Sequence, residues 1–244
     1  MEDLLLMRGN PFYLTEHICI NNPTLGQIAD FGEEQYWGMV TELCCTSYDY
    51  RLMLDEAGID YLDIDDYTMF RTICVGLQPN ETQILIPNID FSKLIAAQHK
   101  DTERIVLADP DSGEVILDEF IYQLMVDHIR NIHCMERNFE VPGNPQARDV
   151  FMWEAREARE NAKRKKFKST LGPMVSAMCN QEGFKYNYNT VWDLNIYAFM
   201  DAVRRIQKIK LADHFEAGMY SGMMDTSKMG KGQIRKITNW MDEL

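Results

Sequence analysis

The segment RIVLADPDSGEVIL, residues 104–117, runs directly into DEFIYQLMVDHIRNIHCM, residues 118–135. The first has apolar runs on both sides of a turn rich in Asp, Pro, Ser and Gly, which is the form of a β-hairpin. The second has the length of a helix, predicted from about Asp118 to Met135 with Asp118 as its cap. A hairpin feeding a helix, inside a chain that elsewhere reads as helical, sets the fold class as α+β. The expected architecture is mainly α-helical with a small β-hairpin region in the middle of the chain.

Upstream, ETQILIPNIDF, residues 81–91, holds a further short β-prone run. The first third reads as short helices joined by brief turns. Thr24 followed by Gln27 forms a capping box after Pro23, Ser47 is placed to cap a following helix, and Gly58 to stop one. Tyr36, Trp37, Val40 and Leu43 make an apolar stripe at helical spacing, read as core. Downstream, NFEVPGNPQ interrupts both periodicities with Pro142, Gly143 and Pro145. The chain is therefore divided into an acidic helical region with a small β element (1–137), a linker (138–146) and a basic helical region (147–244). In the last region, ARDVFMWEAREARENAKRKKFKS is helix-prone, with Glu160–Arg164 and Arg156–Glu160 pairs of about 0.2–0.5 kcal/mol each. A helix across TLGPMVSAMCNQ follows, ended near Gly183. Next comes a long helix through DLNIYAFMDAVRRIQKIKLADHFEAG, with Ile196, Phe199, Val203 and Ile206 as its buried stripe. The tail reads as a loop plus a short terminal helix.

With 45% hydrophobic and 11% aromatic residues, the 244-residue chain has ample material for a core. No window approaches the roughly 18 apolar residues of a membrane span, and the opening MEDLLLMRGN has acids where a signal peptide carries positive charge. The six cysteines (Cys19, Cys44, Cys45, Cys74, Cys134, Cys179) are scattered without a CxxC and are read as buried, reduced thiols of a cytosolic protein. Residues 1–120 carry 23 acids against 6 Lys/Arg, a net of −17, whereas residues 121–244 carry 15 against 19, a net of +4. The acidic half opposes general nucleic-acid binding by long-range repulsion. The run NAKRKKFKS, residues 161–169, is read first as a solvated helix end, with docking on an acidic protein surface as the alternative. It lacks the interleaved aromatics of single-strand binders.

His128, His133 and Cys134 do not form a metal site on this reading, because histidines five apart on a helix diverge by roughly 140°. Asp60, Asp63, Asp65 and Asp66 lack the Gly and distal Glu of a calcium loop and read as a helix cap and exposed acidic turn. DPDSGE, residues 109–114, reads as the hairpin turn itself. There is no P-loop, dinucleotide fingerprint, nucleophile elbow or HExxH, so the expectation is a protein that is not an enzyme and has neither catalytic residues nor a cofactor.

FKYNYNTVWDLNIYAFMDAVRRIQKIKLADHFEAGMYSGMMD (184–225) with the following NW, and NPTLGQIADFGEEQYWGMV (22–40) with YRLMLDEAGIDYLDIDDYTMF (50–70), resemble proteins from the structural and tail-morphogenesis regions of tailed bacteriophages of Gram-positive hosts. The resemblance implies a non-enzymatic tail assembly chaperone that binds the tape measure or tail tube protein in the host cytoplasm, with a homo-oligomer as a further association. The competing expectation is a structural virion component: a connector, tail or baseplate part retained in particles. A third is a phage-encoded regulator or enzyme. The 16 methionines suit an adaptable apolar surface. Two stretches are the candidate interaction surface: Tyr197, Phe199, Met200, Val203, Arg204, Arg205 and Lys208 on the long helix, and Met219, Tyr220, Met223, Met224 and Trp240 in the tail. The helix anchors read equally as core.

Overall fold

The computed structural model describes residues 2–100, 102–227 and 229–242. The first part of the chain forms α1 (Glu2–Met7), a two-stranded ribbon β1 (Phe12–Tyr13) and β2 (Cys19–Ile20), then α2 (Leu25–Phe31), α3 (Glu33–Leu43), α4 (Arg51–Glu56), α5 (Asp66–Ile73) and the single turn α6 (Pro79–Thr82). A three-stranded antiparallel sheet follows, β3 (Ile95–Gln98), β4 (Ile105–Ala108) and β5 (Val115–Leu117), in the order β3-β4-β5. The remainder is helical: α7 (Glu119–His133), α8 (Pro145–Arg164), α9 (Leu171–Cys179), α10 (Ile196–Tyr220) and α11 (Lys231–Thr238). The fold is thus α+β and mainly helical, with its β-hairpin at mid-chain.

The hairpin owes its turn to Asp109, whose carboxylate accepts the amides of Asp111 and Ser112, both at 2.8 Å, while Gly113 takes φ +70°. Leu107 pairs with Leu117 and Ala108 with Val115, across a bulge. Asp118 caps α7 by accepting the Ile121 amide at 2.7 Å. The Thr24–Gln27 capping box forms in both directions. Gly58 follows α4 with φ +74°, and Ile59 donates back to the Leu54 carbonyl, which closes the helix end.

Three local expectations need correction, and one strand was not anticipated. ETQILIPNIDF is not a strand: Leu85 and Ile86 are adjacent and both buried, so the segment turns inward and does not alternate. The strand that does form nearby, β3, was missed because IAAQ has little β propensity and lies mostly exposed. Ser47 caps nothing; α4 begins at Arg51, and the preceding turn is held by Asp49, which accepts the amide and hydroxyl of Thr46. Asp66 is no exposed acid: it is buried and bonds Arg137 at 2.8 Å, whereas its neighbour Asp65 does cap α5.

Residues from both ends of the sequence enter one core, in which Ile18, Leu25, Ile28 and Tyr36 pack in the same cluster as Val191, Ile196 and Phe199. The junction is drawn tight by backbone bonds: Leu25 donates to the Leu194 carbonyl and Ile196 to that of Pro23, both at 2.9 Å. Two capping asparagine and threonine side chains therefore sit side by side at the starts of α2 and α10. Asn195 caps α10 and also donates to the Met7 carbonyl at 3.0 Å; a Cβ on Gly9 would stand 3.2 Å from its amide nitrogen. Cys19, Cys44, Cys45 and Cys74 are buried and all six cysteines are unpaired; loss of hydration pushes the Cys44 and Cys45 thiols up to about 12.

A smaller cluster joins Leu52, Leu54, Tyr61 and Met69 to Met152 of α8. The predicted Glu160–Arg164 and Arg156–Glu160 pairs are absent among the described residues. The arginines of α8 instead reach across to acids at and beyond α4: Arg148 to Asp60 and Arg159 to Glu56, each at 2.9 Å, and Arg156 to Asp55 at 3.4 Å. Helix α8 ends at Arg164, so Lys165, Lys166 and Lys168 follow it in exposed, non-helical chain.

Candidate interaction surface

Helix α10 is the element on which most predicted site residues lie, and its environment changes along its length. In its first turns Tyr197 and Phe199 are buried, Phe199 completely and in edge contact with Phe184, so neither presents a side chain to a partner in this structure. Met200 and Val203 are half-buried against the core. Val203 and Ile206 line a shallow groove of about 220 Å³ with Met174 and Met178 of α9.

Arg204 is exposed, but Arg205 and Lys208 are occupied. The tail folds back so that α11 packs along α10. Arg205 donates to the carbonyls of Trp240 (2.5 Å) and Asp242 (2.8 Å), and Lys208 to that of Asp242 (3.1 Å). These cations hold the chain just past α11, where carbonyls lack helical partners.

The far end of α10 and the turn beyond it are different. Ala212 and Phe215 are buried, Met219 is half-buried, and then Tyr220 is 81% and Met223 90% exposed, with Met224 and Trp240 also exposed. The turn is held by the Met224 amide, which donates to the Gly218 carbonyl at 3.1 Å. Of the residues predicted from sequence, Met219, Tyr220, Met223 and Met224 are thus brought together around one chain reversal. Flexible thioethers and an amphipathic phenol are the side chains that adapt to varied apolar partners.

Elsewhere, a cleft of about 520 Å³ lies among the N-termini of α5 and α7 and the β3–β4 connection, lined by Asp65, Arg71, His99, Arg104, Asp118 and Phe120. Asp65 and Asp118 are spent as helix caps, and Arg104 stands 3.9 Å from Glu119. The histidines of α7 also have structural work. His128 stacks on Phe12 with ring centroids 4.0 Å apart. His133 accepts the Tyr36 hydroxyl at Nε2 (2.7 Å) and donates from Nδ1 to the Ile129 carbonyl (2.6 Å). Sequence reading missed one convergence of metal-ligating groups, that of Glu16, His17 and Glu114. They come from two separate hairpins, and no spacing motif joins them.

Residues 162–244, a third of the chain, match the family model described as YomV second domain, a phage-derived family. The match takes in α9, α10 and α11 and begins at the last residues of α8. No curated protein and no solved structure matches the chain. At this coarser level, residues 162–244 are similar to a phage-associated domain. No helix among the described residues is long and apolar enough to cross a membrane.

Proposed function

We propose that this chain is a non-enzymatic phage tail morphogenesis protein, an assembly chaperone that holds the tape measure or tail tube protein through the exposed end of α10. The observation that carries it is the cluster of Tyr220, Met223 and Met224, apolar and uncovered, inside the segment similar to a phage-derived domain. An apolar end of this kind suits a helix or tube subunit presenting an unpaired apolar face before polymerisation. A chaperone acts in the host cytoplasm and departs from the finished particle.

The test is to tag the chain, isolate its complexes during lytic growth, and compare them with purified virions by mass spectrometry. Tape measure or tube protein in the complexes, with the chain absent from virions, is the expected outcome. Retention in virions at fixed copy number would make it a structural component and overturn the chaperone reading.

A further inference from the structure

We propose that Glu16, His17 and Glu114 form a binding site for a divalent transition metal ion, with zinc as the ion its geometry fits. His17 lies in the loop joining β1 to β2, where the Thr15 hydroxyl accepts the amides of His17 (3.2 Å) and Ile18 (3.0 Å) and fixes the loop. Glu114 lies at the end of the β4–β5 turn, its carbonyl bonded by the Asp109 amide and its own amide by the Ser112 hydroxyl. Two independently braced hairpins thus bring their side chains to one point.

At that point His17 Nε2 is 3.1 Å from a Glu114 oxygen and 3.7 Å from a Glu16 oxygen, and the three ligand atoms lie within 4.8 Å of one another. Bonds of about 2.0–2.1 Å in a tetrahedral zinc site place ligand atoms roughly 3.3 Å apart. The two distances from the imidazole bracket that edge. A hydrogen bond from Nε2 accounts for Glu114 at 3.1 Å but not for Glu16, which at 3.7 Å is beyond hydrogen-bond reach. Two carboxylates are then held together in the half of the chain that already carries a net of −17. A divalent cation among them removes that repulsion and uses all three groups. One imidazole with two carboxylates suits zinc better than magnesium, which favours oxygen ligands in octahedral array. Three protein ligands leave the fourth position open to solvent.

The test uses the full chain stripped with a chelator and titrated with zinc chloride by calorimetry, with thermal unfolding recorded in parallel. One saturable equivalent and a raised Tm are expected, and magnesium chloride should give neither. His17→Gln and Glu114→Gln should each weaken zinc binding at least tenfold, since even loss of an outer-shell partner costs about 10–100-fold. His214→Gln, on the exposed face of α10, should leave it unchanged. All three positions lie outside the core, so circular dichroism should confirm folded variants. Absence of saturable binding would overturn the site, and so would undiminished zinc affinity in both His17→Gln and Glu114→Gln.

Discussion

At the scale of single residues, the decisive differences lie in what buried polar atoms meet. Tyr36 and Tyr122 are both buried in the main core, yet the Tyr36 hydroxyl bonds His133 while that of Tyr122 has no hydrogen-bond partner among the described residues. Tyr36→Phe should therefore cost about 1–3 kcal/mol, because it strands an imidazole nitrogen, whereas Tyr122→Phe should be neutral or stabilising. Urea unfolding of the two variants checks this, and equal losses would contradict it. Burial also depresses the His133 imidazole from 6.5 to about 4, only partly offset by its bond to the Ile129 carbonyl. The unfolded chain then binds the extra proton first as pH falls. The stability contribution is complete above pH 6.5 and drains away toward pH 4, in total about 3 kcal/mol. His133→Gln should flatten that part of the pH profile of unfolding free energy, and an unchanged slope would refute the assignment. The five-residue spacing of His128 and His133 predicts that the two rings face apart on one helix, and they meet different groups, Phe12 and Tyr36. The sequence concealed these partners, because both lie far away in the chain.

At the scale of elements, periodicity and caps were legible where the signal is local. Helix α7, its Asp118 cap and the hairpin before it emerged at nearly their observed limits, since each depends on neighbours within a few positions. Interactions between distant segments were not legible. Helix α9 is capped by Glu33, which accepts the amides of Thr170 and Leu171 at 2.7 Å from more than a hundred residues away. Burial alone would raise the Glu33 carboxyl, but these bonds and one from Ser169 hold it low. Helix α8 shows the same limit: its arginines look self-paired in sequence and are cross-paired in space. It rests on the body through buried Met152, half-buried Ala155 and ion pairs that lie largely in solvent, where screening weakens them. High salt, which shortens the Debye length to about 3 Å at 1 M, should speed hydrogen exchange in α8 while α7 stays protected. Equal protection of both helices at every salt concentration would show that α8 is held by more than this clasp.

At the scale of the whole molecule, the division of charge finds its use within the chain. The basic arginines of α8 meet the acids around α4, and Arg137 meets Asp66, so part of the opposite charge in the two halves is satisfied internally. The stripe Ile196, Phe199, Val203 and Ile206 marked the face that α10 turns to the core, where the first two are fully buried and the last two half-buried. It did not show that Tyr197 would be buried as well, and in the tail Tyr220, Met223, Met224 and Trp240 are exposed while Met219 is half-buried. Stripe residues of a core helix and of a docking helix have the same spacing, and only packing separates them. The most direct measurement combines Tyr220→Asp with Met223→Asp, two exposed positions where charge leaves the core intact. The variant should keep the wild-type Tm, lose co-purification with tape measure and tube protein, and fail to restore tails, as counted by electron microscopy, to a phage lacking the native gene. A folded variant that still captures those proteins and restores normal tail numbers would contradict the chaperone surface proposed for the end of α10.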